Sequence, residues 1–154
     1  MKQWKHLTGS DFKSMDPANT VVVVTCSPLE VHGPHLPTIT DIHEAECLIA
    51  RAVTLLEPKH PDLNFVQLPP IYASADVVPH IGSLTFRTST IVAVLEDLGR
   101  SLAAQGFRHI WVSSFHGGPR HFVSIEKAAA RCNRRYGTQM VSVFSLMLQR
   151  LTGG

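Results

Sequence analysis

Residues 29–41 read LEVHGPHLPTITD, and they gather Glu30, His32, His35 and Asp41 just after the apolar run 21–24. Imidazole and carboxylate groups carry protons, and together they suit Zn, Mn or Fe better than Ca or Mg. Glu30 and His32 are two residues apart, and in extended backbone such residues share a face, so both can aim at one point or at neighbouring points. Gly33-Pro34 and Leu36-Pro37 bend and stiffen the loop, which then loses less entropy on closing around an ion. Asp41 can return to the same place from the start of a following helix, where one carboxylate could bridge two metals. Taken alone, Asp41 would serve equally well as a helix cap, and His32 or His35 as a hydrogen-bonded loop residue. Held together in one rigid loop, the four outweigh those readings. His116 is a further candidate, because it leaves an apolar run and precedes Gly117-Gly118, where missing side chains let backbone approach a ligand. Among the nine histidines, His80 in PHIGS reads equally as a site residue or a plain loop residue. His43, His109 and His121 have no partner in sequence and are assigned to ordinary helix and strand positions, with His121 on a helix beyond the site.

These groups need a frame. Residues 21–26 form a continuous β-branched run, the mark of a strand buried on both faces. A helix is expected over 41–56, with Ala45, Leu48, Ile49, Ala52 and Leu56 on its apolar stripe and Pro58 and Pro61 beyond it. A short strand over 65–68 ends at Pro69-Pro70. The 17-residue stretch 71–87 is longer than an ordinary connection, so it is either functional or structured. The spacing of Val92, Leu95, Leu98 and Leu102 predicts a helix over 88–105, capped by Thr88 or Ser89 and stopped by Gly106. A strand over 110–114, a helix over 120–136 closed by Gly137, and a strand over 140–144 complete the series. Residues 1–19 read as an irregular lead-in with a short helix near 10–14. The order β-α-β-α-β-α-β implies right-handed crossovers and a single three-layer α/β/α domain over 1–154 with a mainly parallel sheet. Ligands of such sheets bind beyond the carboxyl ends of the strands. Glu30, His32, His35, Asp41 and His116 all belong to loops that leave such ends.

Composition narrows the function. A net charge of +2 is too small to argue for nucleic acid, and Arg131, Arg134 and Arg135 read as a solvated helix face. Cys26, Cys47 and Cys132 are scattered and make no CxxC pair, so each is expected to be a small buried residue in a reducing compartment. The N-terminus lacks the apolar core of a signal peptide, and no apolar run approaches the roughly 20 residues that cross a bilayer. A soluble, cytoplasmic protein is expected. A nucleotide-binding doubly wound domain is disfavoured, since no glycine-rich phosphate loop follows residues 21–26.

The motif EVHGPHLPxxTD over residues 30–41 resembles the signature loop of the creatininase (creatinine amidohydrolase) family. QGFRHIWVSSFHGGP over 105–119 is similar to that family's strand ending in His-Gly-Gly-Asn, and HIGSLT from His80 to its Gly-Thr-rich loop. The likeness covers about residues 20–145. It implies an α/β protein with two divalent metal ions (Zn, Mn or Fe), an amide-bond hydrolase that commonly assembles as a hexamer. Carried over by position, Glu30 and His116 would hold one metal, His32 the other, and Asp41 both. His35 would be the catalytic group, touching substrate or backing the ligands, with His80, Gly117 and Gly118 against the substrate. Water between two such ions is acidified from a pKa of about 15.7 towards ~7 and attacks the amide carbonyl, while a general acid protonates the leaving nitrogen. Three departures stand out: Ser27-Pro28 for the family's Gly-Ser, Pro119 for its Asn, and an end at Gly154, before the family's His-Ala-Gly-Glu-like segment with its further carboxylate. The expected activity is hydrolysis of a C–N bond in a small cyclic amide or formamide. The alternative is a catalytically impaired member that binds metal, the second ion weakly, or a partner chain.

Overall fold

The structure, a computed structural model, describes residues 1–153. Its elements run β1 (Lys2–Gln3), a 3-10 turn (Trp4–His6), α1 (Gly9–Ser14), β2 (Thr20–Ser27), α2 (Thr40–Leu56), β3 (Asn64–Gln67), β4 (Ile71–Tyr72), α3 (Thr88–Ala104), β5 (His109–Ser113), α4 (Pro119–Tyr136), β6 (Gln139–Ser142) and α5 (Val143–Leu151). The β-branched run forms β2, and every one of its residues is buried. Alternation explains why: Val22, Val24 and Cys26 enter one core with Ile91, Leu95, Ile110 and Ile125, while Val21 and Val23 enter another with Ile49, Val53 and Phe65. The sheet therefore has helices α3 and α4 on one face and α2 on the other, the three-layer arrangement that the strand–helix alternation implies.

Strand order is β1-β3-β2-β5-β6, and every pairing is parallel. From β2 the chain crosses through α2 to β3 on one side, and then through α3 to β5 on the other. Neighbouring strands β2 and β5 thus send their following loops in opposite directions, which opens a crevice at their carboxyl ends. Ser27 and Ser114 join hydroxyls there at 3.1 Å. At α4 the helix begins on Pro119, one residue before the expected start, and stops as expected at Gly137 in the left-handed region (φ 65°). Gly106 (φ 93°) likewise follows α3.

Several expectations are corrected. The lead-in is structured: Lys2 and Gln3 pair with Val66 and Gln67, Trp4 packs on Phe12 and Phe107, and Thr8 with Asp11 forms a capping box on α1. Neither Thr88 nor Ser89 caps α3, which starts after Arg87 without a side-chain cap. The stripe of α2 is rotated, with Ile42, Ala45, Ile49 and Val53 buried and Leu48 exposed. Cys47 is exposed on the same helix, whereas Cys26 and Cys132 are buried. Arg131 and Arg135 are not a free face, since both pair with Glu96 and tie α4 to α3. Finally, the strand over 140–144 is cut short at Ser142, whose hydroxyl accepts from Ser145 N (3.3 Å) and caps α5.

Candidate functional site

The loop after β2 is closed by its own backbone. Glu30 N donates to Thr38 O (2.9 Å), His32 and Leu36 form an antiparallel bridge, and Gly33 turns between them at φ 78°. This hairpin sets Glu30 and His32 opposite the first turn of α2, which carries Asp41. Val78 N from the stretch 71–87 donates to Glu30 Oε1 at 2.5 Å and fixes that carboxylate from the far side. The loop after β5 brings His116 to the same point. Glu30, Asp41 and His116 are all buried, and His32 partly so.

Asp41 stands at the centre. Its Oδ1 lies 2.8 Å from His32 Nε2, and its Oδ2 lies 3.2 Å from His116 Nδ1, which is also 3.0 Å from Glu30 Oε2. The outer ring nitrogens face carbonyls: His32 Nδ1 is 3.0 Å from Glu30 O, and His116 Nε2 is 3.3 and 3.2 Å from Ala75 O and Asp76 O. Carbonyls only accept, so in neutral imidazoles those outer nitrogens carry the hydrogens. The inner nitrogens then present lone pairs to carboxylate oxygens. Such an arrangement is repulsive unless a cation, either a proton or a metal ion, lies between. Without a metal a proton on His116 takes that place. Burial opposes charge on His116, but the hydrogen bond to Asp41 and the charges of Glu30 and Asp41 outweigh it and raise its pKa above the usual imidazole value.

The residues fit a divalent metal. Ligand atoms of Glu30, His32 and Asp41 lie within 4.8 Å of one another. Buried Asp41 Oδ2 has no well-formed hydrogen bond among the described residues, which suits an oxygen whose partner is a cation. Both histidines have the backing carbonyl that commonly orients a metal-bound imidazole. Asp41 is not a cap: α2 starts after Ile39 with no side-chain cap, and the Asp41 carboxylate points into the cluster.

Around the cluster lies an open cleft of about 610 Å³ lined by Glu30, His32, Asp41, His116, Gly117 and Gly118, together with Glu44, Asp76, Val78 and Phe115. Gly118 has a steric reason, because a Cβ there would meet His116 Nε2 at 2.5 Å and Asp76 O at 2.8 Å; at Gly117 it would meet open space among the described residues. His35 and His80 are exposed, and neither lines the cleft. Sequence reasoning missed Asp76 and Glu44. Asp76 has φ 69°, a conformation that Asp tolerates better than most residues, and its Oδ2 accepts from Arg120 N (3.1 Å) at the start of α4. Its signal was present in the length of the stretch 71–87. Glu44 follows Asp41 by one helical turn. His121 is also placed otherwise than expected: it is fully buried directly behind His116, with ring centroids 5.7 Å apart. Glu126 on α4 is exposed and does not line the cleft.

A parallel three-layer α/β protein with a buried carboxylate–imidazole cluster at the carboxyl ends of its central strands is a class with many members. The creatininase family model, described as creatinine amidohydrolase, matches residues 5–152, and the chain belongs to that family. No match was found among curated proteins. Among solved structures, a candidate creatinine amidohydrolase from Bacteroides fragilis is similar, with TM-score 0.74 and 22% identity, over 92% of this chain and 55% of that one. A mutant creatininase complexed with creatine gives TM-score 0.73 and 16% identity over 93% and 58%. A mutant creatininase of Zn-Zn type gives 0.73 and 17% over 97% and 62%. At these identities the likeness is one of fold, and the chain spans little more than half the length of those proteins. No helix among the described residues is long and apolar enough to cross a membrane.

Proposed function

We propose that the cluster holds two divalent metal ions and that the protein is a metal-dependent amidohydrolase for a C–N bond in a small cyclic amide or formamide. One observation carries this reading: the buried Asp41 carboxylate has an imidazole nitrogen at each oxygen, 2.8 and 3.2 Å away. In this assignment Glu30 and His116 hold one ion, His32 the other, and Asp41 both. Structures of creatininase with Mn and of Zn-Zn type support Zn or Mn as the ions. Divalent ions held by these residues would supply an acidified water and a Lewis acid for the amide carbonyl. Val78 N keeps Glu30 from swinging into solvent, and the Ala75 and Asp76 carbonyls hold His116 with Nδ1 inward. Substrate contacts are assigned to Gly117 and Gly118, which line the cleft, with open space beside Gly117. The proton for the leaving nitrogen is assigned to His35, and a substrate contact to His80, both on exposed turns of loops that border the cleft. The resemblance implies a homo-oligomer, a hexamer, and the three scattered cysteines favour the cytoplasm.

Elemental analysis of the purified chain, followed by turnover of cyclic amides and formamides with added Zn or Mn, tests the reading. Metal bound in proportion to chain and hydrolysis that chelator abolishes are expected. A chain that takes up no transition metal would overturn it.

A further inference from the structure

His121 has no part in the assignment above, yet it is 0% exposed. Its Nε2 donates to Cys26 O at 2.9 Å, at the end of β2, and its Nδ1 is buried without a partner among the described residues. Core filling alone does not account for it. An apolar side chain of similar size would fill the space without stranding a polar atom, which costs roughly 1–3 kcal/mol in a protein interior. What singles the position out is its neighbour. The His121 ring meets His116 edge to face, with centroids 5.7 Å apart and planes at 62°. His116 is held in its plane at both nitrogens, by Glu30 and Asp41 on one side and by the Ala75 and Asp76 carbonyls on the other. Its remaining freedom is to tilt or to flip about the ring axis. A flip would exchange Nδ1 for a carbon and leave the carboxylates without their nitrogen.

We propose that His121 is a positioning residue: anchored through Nε2 to the Cys26 carbonyl, it backs the His116 ring and keeps Nδ1 on Glu30 and Asp41. The inference rests on the metal reading only for its consequence, a higher metal affinity; the geometry it asserts belongs to the metal-free protein. It also replaces the expectation that His121 lies on a helix beyond the site. Through the Cys26 carbonyl, α4 and β2 are locked together beside both halves of the cluster, so one side chain registers the loop after β5 against the loop after β2.

Two variants and two readouts test this. His121→Phe keeps a ring of similar breadth but cannot donate to Cys26 O; in His121→Gln the amide can still reach that carbonyl. Circular dichroism establishes that each is folded. Ring-nitrogen NMR of the metal-free protein should show one set of His116 signals, with a proton held at each ring nitrogen, in the wild type and more than one set in His121→Phe. Calorimetric titration with Zn should show about a 10-fold or greater loss of affinity in His121→Phe, the scale of lost outer partners of metal ligands, and a smaller loss in His121→Gln. His121→Phe with wild-type zinc affinity and an unchanged His116 spectrum would overturn the proposal. Should that variant fail to fold, the wild-type spectrum decides: exchange of the His116 ring between two orientations would overturn the proposal, and a single set of His116 signals with a slowly exchanging His121 Nε2–H would support it. If wild-type protein binds no zinc while His116 stays locked, the metal reading falls and the positioning role stands.

Discussion

Two circumstances act on the single carboxylate of Asp41. It sits in the first turn of α2, where the partial positive charge of the helix terminus favours an anion. It is also 3% exposed, so its charge needs compensation, and only the two imidazoles and whatever lies between them can give it. Asp41→Asn retains the shape and removes the charge, so we expect loss of both metals, measured by elemental analysis after gel filtration. Full metal content in the Asp41→Asn variant would mean that Asp41 is no ligand. Burial of a different kind governs the thiols. It pushes Cys26 up to about 12 and Cys132 up to about 11, which leaves almost no thiolate at neutral pH, while Cys47 is exposed. Iodoacetamide should therefore label Cys47 alone in the native protein and all three cysteines in denaturant, as read by mass spectrometry. For His121 the sign runs the other way. Burial lowers its pKa to about 4 from an ordinary 6.5, so the folded state binds its proton less readily than the unfolded state. The stability it contributes is present above pH 6.5 and is lost as pH falls from 6.5 towards 4. Relative to His121→Phe, the metal-free wild type should lose up to about 1.4 kcal/mol per pH unit across that window in urea titrations.

Among the elements, the loop from β5 into α4 is the least tolerant. Gly118→Ala would drive a Cβ into His116 Nε2 and the Asp76 backbone, and backbone yields poorly. Overpacking of this kind costs roughly 1–3 kcal/mol; it should also push His116 off the carboxylates and weaken metal binding. Gly117→Ala has open space and should change unfolding and metal binding little. Calorimetry and thermal melts on the pair would show the contrast, and equal effects would remove the steric argument. The His-Gly-Gly motif was legible in sequence, but which glycine matters was not, because the reason lies about 40 residues away in Asp76. The same division holds elsewhere. Long periodic elements were legible: β2, α3 and α4 were located to within a residue or two, and so was the rule that puts their following loops at one edge. Two-residue strands such as β1 and β4 have no period to read and exist only through pairing with β3 and β2. At α5 the run Met140 to Phe144 has strand composition throughout, and the Ser142 cap overrides it. Glu30, His32, Asp41 and His116 do converge, as the loop chemistry implied. Asp76 and His121 were missed because each owes its place to tertiary packing, whereas Glu44 was legible as the residue one helical turn after Asp41.

For the molecule as a whole, the ligand count decides what the chain can hold. Glu30, Asp41 and His116 offer one ion three protein groups, the number found in catalytic zinc sites. On the proposed assignment a second ion would have only His32 and a share of Asp41. Glu44 is the carboxylate that the fold adds to the cleft, but it is exposed and free to turn into water, so it contributes less than a buried ligand. We therefore expect one ion held tightly and a second lost on dialysis, with calorimetric affinities separated by about 100-fold, or ~2.7 kcal/mol. Activity of the 154-residue chain should be feeble at low metal and rise as the weak position fills. Glu44→Gln should weaken the second phase of the titration and spare the first. Two equally tight phases, with brisk turnover of a cyclic amide at stoichiometric metal, would mean that another group completes the centre.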